Sequence, residues 1–342
     1  MIADLHRRKV LLAAAAAFAS TNPIRSRAQT QGPITLKFSH VVAPDTPKGN
    51  GAQRFKELAE ERCKGRVKVE VYPNSQLYKD REELEALQLG AVQMLAPSVS
   101  KFGPLGVRKF EVFDMPYLFP DEASLEKVVE GPVGGGLFKL LEPKGITGLA
   151  YWFNGFKEFT ANKPLRKLDD FKGLKIRIQS SKVIEGEIKA LGAIPQVMAF
   201  SEVYTALQQG VVDGEENTPS NKYTQKMHEV QKHMTMSDHG VVMYAVVVNK
   251  KFWDGLPPDI RKSLSEAMAE STKYVWQIAK QENDDALAKI KAAKTTEIYV
   301  LPTAEKAVWR KAMLPLYKEY EGVVGKDTLD AIEKTVAQSA KK

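Results

Sequence analysis

The chain has 342 residues, long enough for two domains with separate cores, and its one cysteine, Cys63, excludes an intramolecular disulfide. Its 50 basic and 42 acidic residues leave a formal net charge of +8, but the two signs are interleaved rather than massed, which argues against nucleic-acid binding. After the N-terminal segment no apolar run reaches the roughly 18 residues a membrane span requires.

Residues 1–28 read as a cleaved export signal: His6, Arg7, Arg8 and Lys9 precede an apolar run from Val10 to Ala19, and Ser26-Arg27-Ala28 offers a small-x-small cleavage site. Arg7-Arg8 admits both the general secretory and the twin-arginine route. Removing five basic residues and one aspartate with the signal leaves a mature charge of +4. The mature chain is expected to be exported and soluble.

Ile34, Leu36 and Phe38 alternate in a first strand that ends at Ser39-His40. A loop follows to Gly49, then a helix from about Asn50 to Arg62 with Ala52, Phe55, Ala59 and Cys63 on its apolar side. Val67, Val69 and Val71 form a second strand, Arg81 to Leu89 a helix stopped by Gly90, and Val92 to Ala96 a third strand running into Pro97-Ser98. This βαβ opening calls for a parallel sheet. Glu122 to Leu141 is helical with glycine breaks, and Ile146 to Phe153 is a strand that crosses towards a second domain.

In Gly173-Leu174-Lys175-Ile176-Arg177-Ile178-Gln179 a period of two marks a strand whose apolar row faces away from Arg177. Arg177 stands near the strand's carboxyl end, where ligands of open α/β sheets gather, so an anion site and a solvated surface arginine are the two readings of these residues. Lys182 to Leu191 is a helix, and another opens at the cap residue Ser201 and closes at Gly210. Val211 to Pro219 is a short strand and turn that brings Asn217 to the rim carrying Arg177. Gly240 to Asn249 returns to the first domain, and Pro257-Pro258 opens a helix reaching about Lys294, long enough to lie across both domains. The expected division is 29–153 with 243–281, and 154–242 with 282–342.

Enzyme patterns are absent. His228 and His233 are five apart, whereas a zinc-protease helix needs four, and neither a G-x-S-x-G elbow nor a phosphate-binding glycine loop occurs. No metal and no cofactor are expected.

Gly173-Leu174-Lys175-Ile176-Arg177, Met198-Ala199-Phe200-Ser201-Glu202-Val203-Tyr204 and Val212-Asp213-Gly214 with Glu216-Asn217 strongly resemble the solute-binding component of tripartite ATP-independent periplasmic (TRAP) transporters, the DctP type, over about Ile34 to Val336. The resemblance implies an α/β periplasmic binding protein of two domains, with mixed sheets, crossing hinge strands and a long helix spanning both, closing over an organic acid. It implies that Arg177 grips a ligand carboxylate and that Asn217 joins it. Tyr72 to Asp80 and Pro97 to Gly103 look most like members that bind C4-dicarboxylates, and Ser98 stands where sialic-acid binders carry a glutamate. For the second carboxylate the donors expected on loops facing Arg177 are His40, Lys48, Ser98, Trp152 and Asn154. Lys157, where some members use a second arginine, is a further candidate. Phe200 is expected beside the guanidinium and Tyr244 on the returning strand. The resemblance further implies membrane permease subunits as partners and a monomer that catalyses nothing. Another organic acid (2-oxo, aromatic or sugar acid) and an exported carboxylate-acting enzyme are the alternative readings.

Overall fold

The computed structural model describes residues 32–339, so the export signal read over residues 1–28 lies outside the described residues. Two α/β domains form, each around one mixed sheet. In the first, β1 (Ile34–Ser39) buries Leu36 and Phe38 and pairs in parallel with β2 (Val67–Tyr72) and with the two-residue β3 (Met94–Leu95). β4 (Ile146–Phe156) then carries the chain past this sheet. Beyond Lys157 it enters the second sheet through β5 (Glu158–Ala161), followed by β6 (Lys175–Ile178), β7 (Ile194–Val197), β8 (Gly214–Asn217) and β9 (His233–Met236). β10 (Val241–Asn249) returns to the first sheet and β11 (Glu297–Val300) adds a last edge to the second. The orders are β2-β1-β3-β10-β4 and β11-β9-β5-β8-β6-β7.

β10 lies antiparallel between β3 and β4 and is buried along its whole length, which is why it reads as an unbroken apolar run. Its side chains alternate between two cores. Val242, Tyr244, Val246 and Val248 pack with Phe38, Phe55 and Trp152, whereas Val241, Met243, Ala245 and Val247 pack with Phe110, Phe113 and Phe153. The second domain has its own core of Phe159, Ile176, Ile178, Ile184, Ile188 and Trp309.

A long helix, Pro258–Ala293, starts on a proline at its first turn, packs Leu264, Ala267 and Val275 into the first domain, and runs on beside the helix Pro219–Thr224 of the second. At the crossing, the Asn283 amide donates to the Asn154 carbonyl at 2.6 Å and accepts the Ser220 N–H at 3.0 Å. Asn154 sits in an irregularity of the β4–β10 register, and Gly155 beside it has φ 135°; a Cβ there would stand 2.7 Å from the Asn283 side chain. The C-terminal helix Lys326–Ser339 places Leu329 and Ile332 in the core with Phe110 and Leu125. We propose that this helix be counted with the first domain, although residues 282–342 as a block read as part of the second.

Two local expectations are corrected. The first helix begins at Pro47, not Asn50, because Thr46 Oγ1 accepts the Gly49 N–H at 3.1 Å and Pro47 occupies the first turn, which moves Lys48 from a loop to a helix. Ser201 caps nothing: a 3₁₀ turn, Phe200–Glu202, precedes the helix Val203–Gln208. Cys63 is fully buried, with Ala52, Phe55 and Ala59 in the same core. Among the described residues no helix is long and apolar enough to cross a membrane.

Candidate functional site

Ile176 and Ile178 point β6 into the second core, and the intervening Arg177 is delivered to the other side, where it is buried rather than solvated. Its Nε and Nη2 donate to the Met198 carbonyl at 3.1 and 2.8 Å, and its guanidinium carbon lies 5.7 Å from the centre of the Phe200 ring. Nη1 is buried without a protein partner. A charged donor in that position is costly unless an acceptor meets it, so the geometry is that of an anion site.

Arg177 lines a chamber between the domains. The second domain contributes Arg177, Gln179, Phe200, Asn217 and Asn221; the first contributes Val41, Val42, Asp80, Ser98, Lys101, Val242 and Tyr244. Its free volume is about 20 Å³, room for about one water, so anything larger enters only as the walls part. Asn221 Nδ2 donates to Asn217 Oδ1 at 2.8 Å and to the Tyr244 hydroxyl at 3.2 Å, joining the two walls. Asp80 ion-pairs with Lys101 at 2.8 Å and accepts the Phe200 N–H at 3.0 Å. Around it, Lys79 pairs with Glu202 at 2.8 Å and Arg81 donates to the Val197 carbonyl at 2.8 Å, so the loop after β2 is fastened to the second domain.

Of the residues expected at the ligand, Arg177, Asn217, Ser98, Phe200 and Tyr244 are brought together here. The others stand behind the walls. Lys48 Nζ donates to the Ala96 carbonyl at 3.0 Å and lies 3.7 Å from the centre of the Tyr244 ring, backing Tyr244 rather than lining the chamber. His40 is buried at the end of β1, next to the Phe38 ring. Trp152 is a correction: its indole N–H donates to Thr272 Oγ1 at 3.0 Å and its ring is core, so it faces no loop. Asn154 Nδ2 donates to Thr218 Oγ1 at 2.7 Å, and Thr218 caps the helix that carries Asn221; Asn154 thus acts through that cap. Lys157 is consumed in a buried ion pair with Glu216 at 2.8 Å.

Asp80, Lys101, Gln179 and Asn221 were not singled out from the sequence. Asn217 ends β8 and Asn221 lies on the helix capped by Thr218, so no single periodicity links them in the sequence. Asp80 and Lys101 come together only through the fold.

The charges behind the chamber are strongly coupled. Burial would raise the Asp80 carboxyl, but Lys101 and Arg177 prevail and hold it at about 2. Burial lowers Lys48 to about 7 against the pull of Glu83, and burial raises Glu83 to about 7 against the pull of Lys101 and Lys48. Burial, with Lys48 adding to it, lowers His40 to about 3 and keeps it neutral. A larger cavity, about 630 Å³, opens elsewhere and holds none of the expected residues; the smaller chamber, which holds Arg177, is the candidate site.

The model of DctP, bacterial extracellular solute-binding protein family 7, matches residues 38–322. The C4-dicarboxylate-binding periplasmic protein DctP of Rhodobacter capsulatus is 63% identical over 306 residues, covering 90% of this chain and 92% of that one. A TRAP periplasmic solute-binding protein of Shewanella oneidensis, solved with bound succinate, superposes with a TM-score of 0.87 at 44% identity, covering 89% of this chain and all of that chain. The sugar-acid-binding protein DctPAm of Advenella mimigardefordensis, in complex with galactonate, also reaches 0.87 but at 31% identity, covering 90% and 99%. Sequence, fold and buried arginine therefore agree that the chain belongs to the DctP family, and that it is a periplasmic solute-binding protein of a TRAP transporter, delivering an organic acid to its membrane permease rather than transforming it.

Proposed function

We propose that the organic acid is a C4-dicarboxylate, succinate, fumarate or malate, and that the chain binds it as a monomer. The observation that carries this reading is Arg177 on one wall of a single chamber whose opposite wall presents Ser98 and Lys101, the latter ion-paired with Asp80 at 2.8 Å, so that a second acid group would share Lys101 with Asp80. Arg177 takes one carboxylate. Its Nε edge is engaged by Met198, so the ligand meets the Nη1–Nη2 end, where two parallel N–H bonds remain. Each such bond is worth about 1.5–3 kcal/mol net. Asn217 and Asn221 flank it. The second carboxylate lies towards Lys101 and Ser98, so a ligand with two acid groups engages both domains and stabilises their closure.

The similarity to the Rhodobacter protein and to the succinate-bound Shewanella structure supports the same ligand class. Isothermal calorimetry on protein unfolded and refolded to strip carried ligand tests it. Succinate, fumarate or malate should give saturable heat, and butyrate, equal in length to succinate but with one charge, should give none. Tight binding of a monocarboxylate with no response to the three diacids would overturn the assignment.

A further inference from the structure

The ribbon of β4 and β10 has two faces, and only one of them carries the chamber. Val242 and Tyr244 face it. Met243 and its cross-strand partner Phe153 face the other way, and there a cavity of about 630 Å³ opens behind the hinge. Phe119, Phe153, Phe156, Met236 and Leu287 give it an apolar, ring-rich wall. Tyr117 also lines it, with its hydroxyl buried and unpartnered; burial, reinforced by the nearby charges of Glu187, Glu158 and Asp238, keeps this phenol protonated and able to donate.

The charges of this cavity are unevenly spent. Lys306 pairs with Asp238 at 2.8 Å and Lys280 with Asp284. Asp121 caps a helix by accepting the Ser124 N–H, and Glu158 accepts the N–H groups of Ser237 and Asp238. Glu122 remains half-buried at the margin. Arg310, on the helix Thr303–Met313, is exposed and has no carboxylate partner among the described residues, and it lines the same cavity as Tyr117.

We propose that this rear cavity is a second ligand site, taking an amphipathic organic anion with a ring-sized apolar body and one acid group, and that filling it favours the closed protein. The body would lie on the phenyl rings and the acid on Arg310 and the Tyr117 hydroxyl. The coupling follows from position. Phe119 and Phe153 belong to the first domain and Met236 and Arg310 to the second, so a rotation that opens the front chamber brings these rear walls together. An occupant behind the hinge resists that rotation, as a wedge does, and by linkage it tightens whatever the front chamber holds.

The probe is 8-anilinonaphthalene-1-sulfonate, titrated by its own fluorescence into the stripped, folded mature chain. Wild type should show one saturable site. Leu287→Trp, which fills the cavity from the long helix, and Arg310→Ala, an exposed change, should each weaken it tenfold or more while circular dichroism melts stay the same. Small-angle scattering should show the radius of gyration of wild type falling on addition of the probe, with Leu287→Trp unresponsive. Equal probe affinity in wild type and both variants would overturn the site. An unchanged or larger radius with the site filled would overturn the wedge. Neither readout depends on which acid the front chamber binds.

Discussion

Across the cleft, a carboxylate oxygen of Asp80 accepts the backbone N–H of Phe200 at 3.0 Å. The segment leading into that turn supplies the Met198 carbonyl that holds Arg177, so one acid from the first domain fixes the frame of Arg177 in the second while also ion-pairing with Lys101. Asp80→Ala removes both contacts and leaves Lys101 facing Glu83 alone at 3.8 Å. The closed form should be weakened, raising Kd tenfold or more, chiefly through faster release. Stopped-flow displacement measures this, and a release rate within twofold of wild type would show that the contact does not hold the domains shut.

Arg177→Lys should damage binding nearly as much as Arg177→Ala. One ammonium cannot serve the Met198 carbonyl and a ligand carboxylate with the planar fork that a guanidinium offers. Calorimetry within about threefold of wild type, roughly 0.65 kcal/mol, would falsify the two-point contact.

Trp152→Phe should leave ligand affinity within twofold of wild type, since the indole N–H serves Thr272 and not the chamber. Stability should fall by more than the ~1 kcal/mol of the lost hydrogen bond, because the smaller ring also leaves a void in a fully buried position. Denaturant melts together with calorimetry separate the two. A loss of binding without a loss of stability would return Trp152 to the site.

Binding of a dianion should take up protons near neutral pH. Lys48 and Glu83 both titrate at about 7 behind the chamber. Protonating Lys48 adds a positive charge and protonating Glu83 removes a negative one, so both protonations favour an anion, and both are lost as pH rises through 7. Affinity for fumarate, doubly ionised throughout, should therefore fall from pH 6 to pH 8.5. Calorimetry in buffers of different ionisation enthalpy should show proton uptake, reduced in Lys48→Met. A flat affinity with no buffer dependence would remove these two groups from the binding equilibrium.

The strands legible in the sequence are β1, β2, β6 and the doubly buried β10, with a plain apolar pattern, and β3, β4 and β8, read as shorter apolar runs with inexact ends. The strands β5, β7, β9 and β11 are short, and their pattern is hidden by residues whose polarity is met elsewhere in the fold. Glu158 is satisfied by the Ser237 and Asp238 N–H groups, Thr235 donates to the Leu165 carbonyl, and Pro195 stands in the edge strand β7. At the candidate site, Arg177 and Tyr244 lie on strands with a clear pattern, whereas Phe200 lies on a 3₁₀ turn and was expected only from the family resemblance. Trp152 shows where pattern stops: it lies directly opposite Tyr244 on the ribbon, so its face was right, but depth beneath Phe38 is set by packing between distant segments. Asp80 and Lys101 likewise carry no local mark of the pairing that makes both tolerable in a buried wall.

The lone thiol has a practical consequence. Cys63 is fully enclosed by the first core and no other cysteine exists in the chain, so folding does not wait on oxidation and the native sulfur is shielded from reagents that need an accessible thiolate. A pair of cysteines introduced on the surface, one in each domain, would thus take spin labels or dyes in the otherwise natural protein. The distance between the labels would follow opening and closing in solution directly.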